Sequence, residues 1–349
     1  MEQAAQVIAA LRDWLGAPDP APWIVETSGS TGRPKRVMLS QRAVRASIEL
    51  SGRRLGERGR WLLALPPSYV AGVNVIARSL AAGASPVVLA EHATFAEATA
   101  ALAGDGWGDG PTFLSLVPTQ LHRLLEDGGE DLAALKTFHT VLPGGGPVDP
   151  ALRARATAAG IHIVPTYGSA ETCGGCVYDG LPLDGVGLAI GADGRIRISG
   201  PTLFDGYQGE PELTDEVLVD GWFLTSDAGR LDEDGRLQLL GRIDDMVVTG
   251  GVNVPAALVA RRLREHPAVA DAEALGMPDE EWGNRLVAFV TWRDGGSAHG
   301  ALDELRDWVG EAHPRSWAPR QLVVLPQIPH LPNGKADRLA LKDLARERA

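Results

Sequence analysis

The stretch Thr27-Ser28-Gly29-Ser30-Thr31-Gly32-Arg33-Pro34-Lys35 places four hydroxyls, two glycines and two cations within nine residues. Glycines let a backbone turn until several N–H groups converge on one anion, and hydroxyl and ammonium groups supply further donors. The chemistry of such a segment is the holding of a polyphosphate. A Walker-type loop would end in Gly-Lys-Ser/Thr and open directly into a helix. Here Lys35 is followed by the strand-like Arg36-Val37-Met38-Leu39, and only then by Ser40, a suitable N-cap for a helix over 41–55. A loop between two strands is expected, with a flexible Ser/Gly turn as the competing reading.

Other residues have chemical potential with a bland alternative beside it. Glu171, within Tyr167-Gly168-Ser169-Ala170-Glu171-Thr172, follows a buried strand, so it falls at a carboxyl end where ligands gather in α/β sheets. Taken alone it reads as a solvated loop carboxylate. Cys173 and Cys176 are the two cysteines of the chain. Zinc wants four ligands and no second pair accompanies them, so reduced thiols of no special role are expected. Arg78 interrupts the apolar run Val73 to Ala82, where a buried cation needs an anionic partner. An ion pair inside the core or a side chain that snorkels out stands about equal to a carboxylate brought by a substrate.

These residues must be positioned by regular elements. From about 20 to 200, β-rich runs at 61–65, 85–90, 112–117, 137–142 and 161–165 alternate with helical stretches, the pattern of an α/β domain with buried strands. Between 188 and 241 the turn signals Ala192-Asp193-Gly194 and Asp232-Glu233-Asp234-Gly235 join short strands, which predicts an antiparallel β-subdomain. Strands near 246–248, 270–275 and 286–292 and helices over 255–265 and 301–312 predict a smaller α+β domain. The expected division is therefore 1–241, with the β-rich part at 188–241, and 242–349.

Composition narrows the function. The 349 residues carry a formal charge of −12, which argues against a nucleic-acid backbone as partner. No run reaches the roughly 18 apolar residues of a spanning helix, and no signal peptide is evident, so the cytoplasm is the expected compartment. The oligomeric state stays open, a homo-oligomer included.

Five ordered motifs join the opening loop: Tyr167 to Thr172, Thr225-Ser226-Asp227, Gly241-Arg242-Ile243-Asp244-Asp245, Thr249-Gly250-Gly251 and Pro332-Asn333-Gly334-Lys335. Together the set resembles the acyl-adenylate-forming superfamily of acyl-CoA synthetases, peptide-synthetase adenylation domains and luciferases, from about Trp23 to the C-terminus. The resemblance implies a large α/β domain with a small mobile lid. It also implies a ligase that joins a carboxylate to ATP, expels pyrophosphate and passes the acyl group to coenzyme A.

The implied ATP-binding residues are Thr27, Ser28, Gly29, Ser30, Thr31, Gly32 and Lys35, with Gly144, Gly145, Gly146, Tyr167 and Gly168 on the adenine side. Asp227 is matched to the ribose hydroxyls, Arg242 to ribose and phosphate with a catalytic role, and Glu171 to Mg²⁺. Lys335 matches the catalytic lysine that bridges the attacking carboxylate and the α-phosphate, and Asp244 matches the hinge. Thr249, Gly250 and Gly251 match the path of the thiol. Tyr69, which stands where relatives often have His, Arg78, Ser169 and Ala170 would face the acyl group; Ala170 replaces a more usual Thr or Ser. The run Tyr167 to Gly180 looks like the short actinobacterial form of the ligases of menaquinone biosynthesis that activate o-succinylbenzoate, an aromatic dicarboxylate. Another aryl- or acyl-CoA ligase, or a nucleotide-binding module without catalysis, are the alternatives.

Overall fold

The computed structural model describes residues 2–27, 34–56, 58–104, 110–293, 300–329 and 336–347. Two compact units emerge. The first comprises Met1–Gly191, Ile196–Thr225 and Leu231–Gln238, the second Ala192–Arg195, Ser226–Arg230 and Leu239–Ala349. The division differs from the sequence expectation in detail: a few residues of the β-rich part cluster with the second unit, because long strands carry the chain from one unit into the other.

The first unit opens with α1 (Glu2–Gly16), then β1 (Trp23–Glu26) and β2 (Arg36–Leu39), paired antiparallel. Helix α2 (Gln41–Leu55) starts where Ser40 Oγ accepts from the Ala43 N–H, and ends at Gly56 in the left-handed region. Next come β3 (Arg60–Leu63), α3 (Val70–Ala81), β4 (Val87–Val88), α4 (Phe95–Gly104), β5 (Thr112–Leu116), α5 (Pro118–Asp127), α6 (Gly129–Leu135), β6 (Thr140–Pro143) and α7 (Pro150–Ala158). The strands form a parallel sheet in the order β4-β3-β5-β6. Alternation along the strands separates two apolar layers. Trp61, Leu63 and Phe113 pack with α2 and α3, while Leu62, Leu114 and Leu116 pack with α4 and α5. Burial on both faces explains why these strands read as nearly continuous apolar runs. The run at 161–165 forms only a parallel bridge, Val141 to Ile163, rather than a full strand.

Beyond it, β7 (Thr166–Ser169), β8 (Gly174–Tyr178) and β9 (Leu181–Pro182) make an antiparallel sheet, and β10 (Gly187–Ile190) pairs with β11 (Arg195–Ser199) as its turn signal predicts. The short β12 (Gly206–Tyr207) returns to β2, with Tyr207 opposite Val37. Then follow α8 (Pro211–Val217), β13 (Leu218–Val219), β14 (Trp222–Leu231) and β15 (Leu237–Arg242).

The second unit is built on β16 (Met246–Thr249), β17 (Val252–Pro255), α9 (Ala256–Arg264), β18 (Val269–Asp279), β19 (Gly283–Trp292), α10 (Ala301–Ala312), β20 (Gln321–Val324) and α11 (Arg338–Glu347). β18, β19 and β20 form one sheet. Val259, Leu263, Leu305 and Val309 cover one face with Ala272, Ala274 and Ala288. Leu341 and Ala345 pack on the other with Val287 and Phe289. The unit has the α+β composition expected from the sequence.

Candidate active site

The polyphosphate-type segment is the connection of a β-hairpin. Thr27 N–H donates to Lys35 O at 2.9 Å, and Lys35 N–H donates to Thr27 Oγ1 at 3.1 Å, which closes the base of the loop. Ser28, Gly29, Ser30, Thr31 and Gly32 lie outside the described residues. The Lys35 ammonium stands 4.9 Å from the centroid of the Tyr207 ring, on its face.

Glu171 occupies a 3₁₀ turn, Ala170–Thr172, directly after β7. Its buried carboxylate accepts at Oε1 from the Tyr207 hydroxyl at 2.7 Å; Oε2 has no hydrogen-bond partner among the described residues. Burial, and then the charge of Glu171, push the Tyr207 phenol above its ordinary value, so it remains a donor. Sequence reasoning missed Tyr207, since a Gly-Tyr pair carries no signal of its own before the topology brings it back to β2.

The turn after Glu171 is held from behind. Cys173 has a positive φ of 53°, and its carbonyl accepts from Asn74 Nδ2 at 2.7 Å and Ser47 Oγ at 3.2 Å. These two polar side chains of α3 and α2 were also missed. Both cysteines are buried free thiols, and burial pushes each up to about 12.

The glycines on the expected adenine side follow β6. Gly144 N–H donates to Leu116 O at 3.0 Å, and a Cβ on Gly144 would lie 2.5 Å from Thr166 Oγ1, immediately before Tyr167. Gly145 has φ 72°. Gly168 lies against the partner strand so tightly that a Cβ would sit 2.0 Å from Gly174 O. Gly144 thus follows the parallel strand β6, while Tyr167 and Gly168 lie in β7 and Glu171 comes directly after it.

The four residues expected to face the acyl group differ in setting. Tyr69 is 44 % exposed at the start of α3. Ser169 Oγ is buried with no hydrogen-bond partner among the described residues, so it is an available polar group. Ala170 is 7 % exposed and belongs to the apolar core. Arg78 is 8 % exposed, donates to the Tyr178 hydroxyl at 3.1 Å and stacks over Trp61 at 5.3 Å. It lies about 13 Å along α3 from Tyr69, from nine residues at 1.5 Å each, and beside the first residues of β3. That is the end of the strand away from Tyr69. Hence the structure does not bring Tyr69 and Arg78 together, and it gives Arg78 neutral aromatic partners where an anion was expected.

In the second unit, Arg242 Nη1 stands 3.9 Å from Asp227 Oδ1, so the two residues matched to ribose and phosphate are neighbours. Thr249 and the glycines that follow it form the end of the β16–β17 hairpin. Gly250 and Gly251, with φ 54° and 78°, are its two-residue turn, and Gly250 N–H donates to Trp282 O at 3.0 Å. Thr249 Oγ1 is buried without a hydrogen-bond partner among the described residues. Arg338, shortly after the Lys335 segment, pairs with Asp245. Lys335 and the side chain of Asp244 lie outside the described residues.

Glu171 suits a hard cation. A carboxylate with one oxygen fixed by a donor and the other open is a normal single ligand for Mg²⁺, which takes one or two carboxylates and completes its shell with phosphate and water. Among the described residues no group of three or more His, Cys, Asp or Glu stands ready to hold an ion by itself.

The fold is that of an α/β protein whose Thr27–Lys35 hairpin and acidic turn belong to one unit, with the Arg242–Asp227 pair in the other. The chain belongs to the AMP-binding enzyme family: residues 14–208 match the family profile, and residues 259–335 match the profile of the AMP-binding enzyme C-terminal domain. It is 42% identical over 341 residues to a probable 2-succinylbenzoate–CoA ligase of Mycobacterium tuberculosis, covering 97% of this chain and 88% of that protein. Its fold is similar to o-succinylbenzoate CoA synthetase of Bacillus subtilis in complex with the acyl-adenylate intermediate OSB-AMP, with a TM-score of 0.77 and 28% identity over 92% of this chain and 68% of that one. The same Bacillus enzyme in complex with ATP and magnesium ion matches at a TM-score of 0.75 and 28% identity, with 92% and 69% coverage. Among the described residues, no helix is long and apolar enough to cross a membrane.

Proposed function

We propose that the chain is an AMP-forming acid–thiol ligase that converts 2-succinylbenzoate to its coenzyme A thioester through an acyl-adenylate, a step of menaquinone biosynthesis. The end-to-end likeness to 2-succinylbenzoate ligases carries this reading, and Glu171, with one oxygen fixed and one open, supports it chemically. ATP would enter against the hairpin that ends at Lys35, with Mg²⁺ on Glu171. The ion offsets repulsion between two anions and stabilises charge on the phosphorane. Gly144, Gly145, Gly146, Tyr167 and Gly168 would border adenine, and Asp227 and Arg242 the ribose and phosphate. Lys335 would bridge the carboxylate and the α-phosphate as a point cation. Coenzyme A would approach along Thr249, Gly250 and Gly251, and the cytoplasm supplies all three substrates.

A panel of carboxylates with ATP and coenzyme A tests the reading by pyrophosphate release. 2-Succinylbenzoate should be turned over above monocarboxylates, and Lys335→Ala should lower adenylate formation by ~100-fold or more, as expected for loss of one preorganised cation. Absence of any adenylate from 2-succinylbenzoate would sink the substrate; undiminished turnover by the variant would sink Lys335. Arg78→Met in the same panel should slow all carboxylates alike, because Arg78 packs on Trp61 and Tyr178. A loss confined to dicarboxylates would return the second-carboxylate role to it.

A further inference from the structure

Tyr207 belongs to none of the sequence motifs, yet it touches two of them. Its hydroxyl donates to Glu171 Oε1 at 2.7 Å, and its ring face lies under the Lys35 ammonium at 4.9 Å. We propose that Tyr207 is a positioning residue: its hydroxyl fixes the Glu171 carboxylate so that Oε2 is presented to a divalent cation, and its ring anchors the lysine that ends the phosphate hairpin. This rests on the reading of Glu171 as the metal carboxylate.

The surrounding backbone makes Tyr207 a rigid anchor. The two-residue strand β12 pairs with β2, Gly206 opposite Met38 and Tyr207 opposite Val37. Hydrogen bonds on both sides extend that pairing, from Asp205 N–H to Met38 O at 2.9 Å and from Gln208 N–H to Arg36 O at 2.8 Å. Phe204 N–H donates to Glu171 O at 2.9 Å, which ties the acidic turn to the same segment. A second side-chain bond closes the arrangement, from Tyr207 N–H to Thr214 Oγ1 at 2.9 Å. Tyr207 is 3 % exposed, and its ring meets Phe204 edge-on at a centroid distance of 5.0 Å.

The chemical consequence is directional. A carboxylate free to rotate offers a cation either oxygen in many poses. With Oε1 held by a neutral donor, Oε2 is the oxygen left for the ion, and groups that orient a ligand in this way are worth ~10-fold or more in metal affinity. The ring adds a separate effect, since an ammonium over an aromatic face is held without being neutralised. The position of the Lys35 ammonium is thereby restricted.

Titration calorimetry with Mn²⁺ and α,β-methylene-ATP, with no carboxylate present, separates the two effects. Tyr207→Phe keeps the ring packing and removes the hydroxyl. It should weaken Mn²⁺-dependent binding of the analogue ~10-fold, leave binding of the metal-free analogue unchanged, and unfold at a urea midpoint near that of the parent. In a Glu171→Gln background the same change should have no further effect on the metal, because the two groups act as a unit. Tyr207→Leu should also weaken the metal-free analogue. Parent-like Mn²⁺ affinity in Tyr207→Phe, or losses in Tyr207→Phe and Glu171→Gln that merely add, would overturn the proposal, as would a Glu171→Gln protein whose metal affinity is unchanged. Because the assay contains no acyl substrate, failure of 2-succinylbenzoate in the carboxylate panel leaves these outcomes readable.

Discussion

The thiols of Cys173 and Cys176 show how much a side chain's chemistry depends on its setting. Burial pushes both from 9.0 to about 12, so the reactive thiolate is suppressed. At pH 8 iodoacetamide should label neither thiol of the native chain and both in urea; rapid native labelling would contradict their burial. The sign of the linked stability effect follows. The neutral thiol is favoured in the fold, so the contribution is fully present below pH 9.0 and is lost as pH rises toward about 12. A urea midpoint that falls over that window, but less so in a Cys173→Ala/Cys176→Ala chain, is the measurement. The absence of zinc-type spacing made reduced thiols legible from the sequence. What remained illegible was the use of the Cys173 carbonyl, which accepts from Asn74 and Ser47, residues 99 and 126 positions away. Contacts across such separations have no local signature, and Tyr207 with Glu171 is another of them.

At the scale of elements, local signals translated well where the backbone itself imposes the rule. Ser40 caps α2 over the bounds its spacing predicts, and Gly250-Gly251 makes the tight hairpin that two adjacent glycines favour. The run at 161–165 makes a bridge and two hydrogen bonds to Val141 but no full strand, because an apolar run specifies burial and not the extent of pairing. The hairpin of β7 and β8 carries a requirement that sequence shows only as a glycine. A Cβ at Gly168 would stand 2.0 Å from Gly174 O, which is backbone and cannot swing aside. Gly168→Ala should therefore cost about 3 kcal/mol, the upper range for overpacking. Gly185 has φ 78° and nothing within 4 Å of the added carbon, so Gly185→Ala should cost about 1 kcal/mol from the left-handed backbone alone. The order of the two urea midpoints checks this, and equal shifts would show that β7 and β8 do not approach so closely.

For the molecule as a whole, the question is how one chain of two compact units runs two half-reactions. Ile243–Asp245 is a 3₁₀ turn between β15 and β16, and Asp245 is paired with Arg338 at the start of α11. The resemblance places a hinge at Asp244, and positions 335 and 249–251 both fall in the second unit. If that unit presents Lys335 for adenylation and the hairpin turn for thioester formation, the backbone at the hinge must change its dihedrals between the two steps. Proline fixes φ near −65° and removes that freedom. Asp244→Pro should thus slow coenzyme A ester production from a synthetic acyl-adenylate on the order of ten-fold more than it slows pyrophosphate release from carboxylate and ATP, a size typical of conformational coupling. Equal losses in the two half-reactions would remove Asp244 as a hinge, because a merely structural defect at the joint has no reason to distinguish a reaction that consumes ATP from one that begins after it.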